Sequence, residues 1–403
     1  MPDTKTKPKP KRTVIVGAGI SGLYVALTLV RRGDAVTVLD SSESFGGRVA
    51  TSSRGYEIGA GRVCECHSTV QGLLTQYNLH LTPIKSGLRW ISVNDPKGEE
   101  SNYFYKIWPT LLHSIRRLPS ATLATHTLKQ LLVQTFGKRS TEELLNRFEY
   151  RTEVESMRAD VALRIFTNEM SGTHQYYSVR EGLSAVIAAM VREIRSSPGC
   201  MVLPRRRVQH VARSGHEYLV QTNDRDLFAA DQVVMAVSAK NLRSITPFMH
   251  LKALRHIGHA RLTRIYAEYP TPWLSEKYVT DSPLRYVIPV SPKWVMISYT
   301  DGRDTAHWDG LQGRQLTKEI TKEQRRLWPS SPSPSHVSAY PWHDAASFWI
   351  PGTYDPEKVS VDLEHPFPSA LPNVWITGEL LSVTRQAWME GALNCATRLL
   401  MRI

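Results

Sequence analysis

Three glycines spaced Gly17-x-Gly19-x-x-Gly22 follow the apolar run Val14-Ile15-Val16, and an acid, Asp40, closes a second apolar run over Ala35–Leu39. At that spacing each glycine has its own task. Gly17 makes a tight turn, Gly19 lets backbone approach a pyrophosphate, and Gly22 lets a following helix pack close to the strand. A helix over roughly 20–32 would offer phosphates the free N–H groups at Ile20 and Ser21 and the positive end of its dipole. A carboxylate at Asp40 can accept hydrogen bonds from ribose hydroxyls and repels a 2′-phosphate. The pattern predicts strand, turn, helix and strand around a dinucleotide, and by itself leaves NAD, NADP and FAD open.

Lys5, Lys7, Lys9, Lys11 and Arg12 precede the mostly apolar stretch 14–30, as in a signal peptide, but no small-residue cleavage site follows. The 403 residues suffice for two domains, and a 41% hydrophobic content is ordinary for a globular protein. No apolar run reaches the roughly 20 residues of a membrane span, so no membrane partner is expected. Cys64, Cys66, Cys200 and Cys395 are too scattered for a disulfide framework. Cys64-x-Cys66-His67 lacks a second ligand pair of zinc-like spacing, so no metal is expected and a reduced, cytoplasmic setting fits. The net charge of +13 favours anionic partners or substrates by long-range steering. The basic tail, residues 1–12, reads as a disordered solubilising extension, with a nuclear address or a polyanion-binding arm as the alternatives.

The stretch 108–170 has helical periodicity through Leu111, Leu112, Ile115, Leu128, Leu131, Leu132, Leu144, Leu145 and Phe148. After it come short β-rich runs at 208–211, 218–222 and 231–237, the last apolar enough for a buried parallel strand. Alternating runs at 262–269, 286–290 and 294–299 predict a second sheet. A strand at 374–379 ends in Gly378-Glu379, and a helix over about 387–402 follows. Strand–turn–helix chemistry thus both opens and closes the chain. The expected fold is α/β: a Rossmann-like nucleotide-binding domain in pieces (13–88, 179–257, 352–403), and an α+β substrate domain (89–178, 258–351) with a mixed sheet and a helical insert.

Five further segments, in order, resemble the FAD-dependent amine oxidase family of monoamine, polyamine and L-amino-acid oxidases. They are Gly46-Gly47-Arg48; the run from Tyr56 through Ala60, Gly61 and Arg62; Glu181-Gly182-Leu183; Arg207-Val208; and Gly378-Glu379 followed by Trp388-Met389-Glu390-Gly391-Ala392. The resemblance implies FAD, with Arg48 against phosphate or flavin and a strand at 56–62 beside the isoalloxazine. It also implies Val208 at the adenine, Glu379 near the ribityl–pyrophosphate chain, and the helix N-terminus at Met389 facing the pyrimidine end. Arg62 matches the residue that grips the substrate carboxylate in L-amino-acid oxidases, a task suited to a planar fork; a flavin-phosphate contact or structural salt bridge is the alternative. Trp388 matches the aromatic wall of the substrate cage.

The chain departs from that pattern in three places. The second cage aromatic falls at Ala345, leaving Trp342, His343 or Trp349 as substitutes. Asp344 stands where some relatives attach flavin through cysteine, so the FAD should be non-covalent. The lysine that holds a water near the flavin is replaced by Arg264 or Thr263. The expected activity is oxidation of an L-amino acid or other amine, with oxygen as acceptor and hydrogen peroxide as product, using Arg62, Trp388 and Arg264. The rivals are a flavin desaturase or porphyrinogen-type oxidase, and a FAD-containing nucleic-acid or chromatin-binding protein.

Overall fold

A computed structural model describes residues 10–85, 87–100, 103–170 and 174–403. At its centre the strand Arg12–Val16 lies between Ala35–Leu39 and Gln232–Met235, all parallel. Met201–Leu203 extends one edge and Val374–Ile376 the other, which gives five parallel strands. Helix Ile20–Arg32 packs on this sheet with Ser184–Ser196 and Met389–Leu400, burying Leu23, Leu27, Met190, Leu393 and Ala396. Gly33, in the left-handed conformation, ends the first helix. Arg12 corrects the reading of the tail: it opens the central strand and pairs with Asp231 and Glu217, while residues 1–9 lie outside the described residues.

A seven-stranded mixed sheet forms the second layer. Its order is His336–Trp349, Ile257–Glu268, Trp294–Asp301, Tyr286–Pro289, Lys277–Thr280, Leu88–Ser92 and Asp95–Glu100. One pair, Lys277–Thr280 with Leu88–Ser92, is parallel and the rest are antiparallel. Against it lie six helices, from Tyr103–Arg116 to Ala159–Asn168, with Trp108, Phe148 and Phe166 packed together between them. The fold is therefore α/β with a discontinuous Rossmann-like sheet, a mixed second sheet and a helical insert. Among the described residues, no helix is long and apolar enough to cross a membrane.

A small three-stranded sheet does the most to place side chains. Tyr176–Val179 pairs antiparallel with both Val63–Cys64 and Leu81–Pro83, setting Cys64 opposite Tyr176. Arg62, one residue before that strand, is thereby carried beside Tyr176.

Candidate active site

The glycine-rich turn is built by steric exclusion. A side chain at Gly17, which has φ +106°, would put Cβ 2.5 Å from the Ala236 carbonyl oxygen, and one at Gly22 would come within 2.0 Å of the Gly17 oxygen. Gly19 differs, since its Cβ would have no neighbour closer than the Gly46 oxygen at 4.0 Å. An open cradle therefore lies at the helix start. Gly46 and Gly47 form one side, with the Gly46 N–H donating to the Ala18 oxygen, and Gly378 faces the Ser21 hydroxyl across it. No side chain caps the helix at Gly19, which leaves the first-turn N–H groups at Ile20, Ser21 and Gly22 for an anion. The donor set and the space suit a pyrophosphate.

Asp40 is already at work in the protein itself. Its two carboxylate oxygens accept from the Ala18 and Ser42 N–H groups, both at 2.7 Å, so it braces the turn. The Arg206 N–H donates to the Asp40 carbonyl, bringing the strand that begins at Val208 alongside.

From the cradle the site runs past Arg48. Its guanidinium pairs at 3.0 Å with Glu379, whose other oxygen accepts from Ser347 and Ala387 N–H groups at 3.1 and 2.8 Å. Glu379 is nearly buried and ties three separated segments to Arg48. It was expected near the ribityl–pyrophosphate chain, and its carboxylate is committed to these partners.

The run 56–62 is not the strand that the resemblance implied. It is irregular and held along 48–51, with the Ile58 N–H on the Ala50 oxygen and the Ala60 N–H on the Arg48 oxygen. Arg264 Nη1 and the Tyr266 hydroxyl both donate to the Glu57 carbonyl, and Trp342 Nε1 donates to the Ile58 carbonyl at 2.7 Å. Arg264 lies against Gly61, whose Cβ would meet Nη1 at 3.1 Å, and its Cζ is 5.5 Å from the Tyr299 ring centroid. Of the proposed substitutes for the missing cage aromatic, Trp349 is fully buried with its indole N–H on the Ser382 oxygen, and His343 is exposed. Trp342 alone is half-buried beside the 56–62 run.

Beyond Gly61 the guanidinium of Arg62 is ringed by three aromatics. Its Cζ lies 4.8 Å from the centroids of Tyr150 and Tyr176 and 5.1 Å from that of Trp388. Tyr176 and Trp388 are nearly parallel at 6.1 Å. Burial pushes both tyrosine hydroxyls above the usual phenol range, keeping them protonated donors. Trp388 precedes the helix Met389–Leu400, and Met389 packs into the core beneath it. Glu390 accepts from the Thr69 and Val70 N–H groups, both at 3.0 Å, and so caps the helix Ser68–Gln76, where His67 supplies no cap.

The Cys64-x-Cys66-His67 run lies behind this cage, joined there by Glu169, which the sequence did not reveal. Cys64, Cys66, His67 and Glu169 converge with their ligand atoms within 4.8 Å, and Cys64 and Cys66 are joined as a disulfide. The bridge corrects the expectation of reduced cysteines. His67 Nδ1 accepts from the Cys64 N–H at 3.2 Å, which assigns the ring proton to Nε2, facing Glu169 at 2.8 Å. Metal binding at Nε2 would need the opposite tautomer, and Arg385 already pairs with Glu169.

A backbone cradle that suits a pyrophosphate at one end and an aromatic cage at the other fit a flavin-dependent oxidoreductase. The chain belongs to the flavin containing amine oxidoreductase family, whose model matches residues 20–399. Among characterised relatives, an L-amino-acid oxidase of Mus musculus is 23% identical over 98% of this chain and 71% of its own length. An L-amino acid oxidase of Bothrops pictus is 43% identical, but over 19% of this chain and 16% of its own length. A solved putrescine oxidase, a variant from a redesign of its cofactor binding, superposes with a TM-score of 0.80 at 16% identity, covering 98% of this chain and 99% of that one.

Proposed function

We propose that the chain binds FAD non-covalently and oxidises the C–N bond of an L-amino acid or another primary or secondary amine. The observation that carries this reading is the Arg62 guanidinium within 4.8–5.1 Å of three ring centroids. The rings exclude water round the guanidinium and so strengthen a charged contact between it and a carboxylate. The relatives named L-amino-acid oxidases support an amino-acid substrate. When bound, FAD would accept a hydride from the substrate α-carbon and pass two electrons to oxygen, giving hydrogen peroxide and an imine that water hydrolyses.

The chain's own residues position and desolvate. Arg62 would hold the carboxylate, Trp388 and Tyr176 would flank the α-carbon, and Tyr150 would donate from the far wall. Arg264 would keep a fixed positive charge at the reactive edge. The cradle at Gly19, Ile20, Ser21, Gly46, Gly47 and Gly378 would take the pyrophosphate, with Asp40 and Val208 towards the adenosine. Asp344, which accepts from the Ser238 hydroxyl at 2.5 Å, offers no thiol for covalent attachment, in keeping with a dissociable cofactor.

Anaerobic titration of the flavin-loaded protein with L-amino acids, polyamines and monoamines tests this. An L-amino acid should bleach the flavin, and readmitted air should yield peroxide. Arg62→Ala should raise KM for that substrate by about two orders of magnitude, the worth of a bidentate charged contact. Bleaching by no amine at all would replace this reading with the desaturase.

A further inference from the structure

The Cys64–Cys66 pair has no task in amine oxidation, yet its surroundings are those of a reactive thiol site. Cys66 is half-buried whereas Cys64 is fully buried, so an oxidant reaches Cys66 first. Arg385 Nη1 lies 3.4 Å from Cys66 Sγ, and a Glu169 oxygen lies 3.9 Å from the same sulfur. The guanidinium favours a thiolate, and the carboxylate stands where the thiol proton would go. Among the described residues, the other charged or titratable groups nearby include His67, whose Nε2 proton faces Glu169; Tyr176, whose hydroxyl donates to the Glu169 carbonyl; Arg62, two residues from Cys64; and Glu65, which meets His174 at 3.3 Å on the exposed side. The Cα atoms of the pair are 5.0 Å apart, a span that a disulfide bridges readily.

We propose that Cys64 and Cys66 form a reversible thiol site for hydrogen peroxide, with Cys66 as the attacked sulfur and Cys64 as the resolving one. Cys66–SH and H₂O₂ give Cys66–SOH and water; Cys64–SH then displaces that hydroxyl as a second water and closes the disulfide. Two thiols lose two electrons and one peroxide O–O bond is broken. Peroxide as the physiological oxidant rests on the proposed function, because it would be the enzyme's own product. The bridge lies close to the cage: Cys64 is two residues from Arg62 and opposite Tyr176, and the His67 ring meets Trp388 edge-on at 5.2 Å.

The flavin-loaded protein is first reduced with a thiol reagent, freed of it, and treated with added peroxide. Cysteines are then alkylated under denaturing conditions and mapped by mass spectrometry. Peroxide should remove two of the four alkylatable thiols, Cys64 and Cys66 joined to each other, and sparing the buried Cys200 and Cys395. Cys64→Ser should leave Cys66 as a sulfenic or sulfinic acid, and Cys66→Ser should abolish the peroxide response. In the reduced native protein, Arg385→Gln should slow Cys66 alkylation at neutral pH about tenfold and shift its pH profile upward, whereas Arg385→Lys should restore most of the rate. Four intact thiols after peroxide, or an unchanged response in Cys66→Ser, would overturn the proposal. Because the oxidant is added, that failure is separate from any failure to oxidise amines.

Discussion

Arg48 and Glu379, 331 positions apart in the chain, meet in a 3.0 Å ion pair that joins the Gly46-Gly47 segment to the C-terminal strand–turn. Exposed ion pairs contribute about 0–1 kcal/mol, whereas stranding one partner of a buried pair costs about 3–5 kcal/mol. With Glu379 nearly buried and Arg48 one-third exposed, the cost falls between these ranges. Glu379→Ala should therefore destabilise the protein by about 2–3 kcal/mol in chemical denaturation and lower the flavin-to-protein ratio. A loss below about 0.5 kcal/mol would show that the pair is ornamental.

The cradle glycines separate fold from binding. Gly19→Ala adds a methyl to open space and should leave the melting temperature of the flavin-free protein within a degree or two while sharply weakening flavin retention. Gly22→Ala drives Cβ into the Gly17 oxygen and should lower both. Equal losses of stability in the two variants would refute the distinction.

Glu390 caps a helix to which it does not belong. Glu390→Ala leaves the Thr69 and Val70 N–H groups unsatisfied and should cost about 1–2 kcal/mol, the usual worth of an N-cap. Hydrogen exchange should speed up first in residues 68–72, and uniform change across the chain would count against the capping role.

Asp301 should shape the pH dependence of stability. Burial, followed by the charge of Glu153, pushes its carboxyl up to about 7. A folded pKa above the unfolded value of 3.8 means that the native state holds the proton more tightly. Its contribution is full below about pH 4 and is lost as pH rises through about 7. Compared with Asp301→Asn, the native protein should lose stability steadily across that window and then level off. A stability difference independent of pH would show that Asp301 does not titrate there.

The parts of the fold built by local pattern were legible in the sequence. The helix predicted at 20–32 is Ile20–Arg32, and the apolar run 231–237 is the inner parallel strand Gln232–Met235. Spacing could identify the cradle because those contacts are between near neighbours. The long strand His336–Trp349 escaped because Pro341 interrupts it and most of its residues are only half-buried, which blurs the alternation. The cage round Arg62 was half legible: Trp388 carried a motif, but Tyr150 and Tyr176 come from the helical insert and a two-sided strand pairing. Glu169 lies 102 positions from His67, and no local spacing rule reaches that far.

The central sheet has a consequence for synthesis on the ribosome. The strand Arg12–Val16 soon finds Ala35–Leu39, but its other neighbour, Gln232–Met235, arrives some two hundred residues later, and the edge strand Val374–Ile376 later still. Until then one flank of the nascent nucleotide fold is an unpaired apolar edge, the kind that chaperones shield. Cofactor capture must therefore be a late event, completed as Gly378 closes over a turn made hundreds of residues earlier.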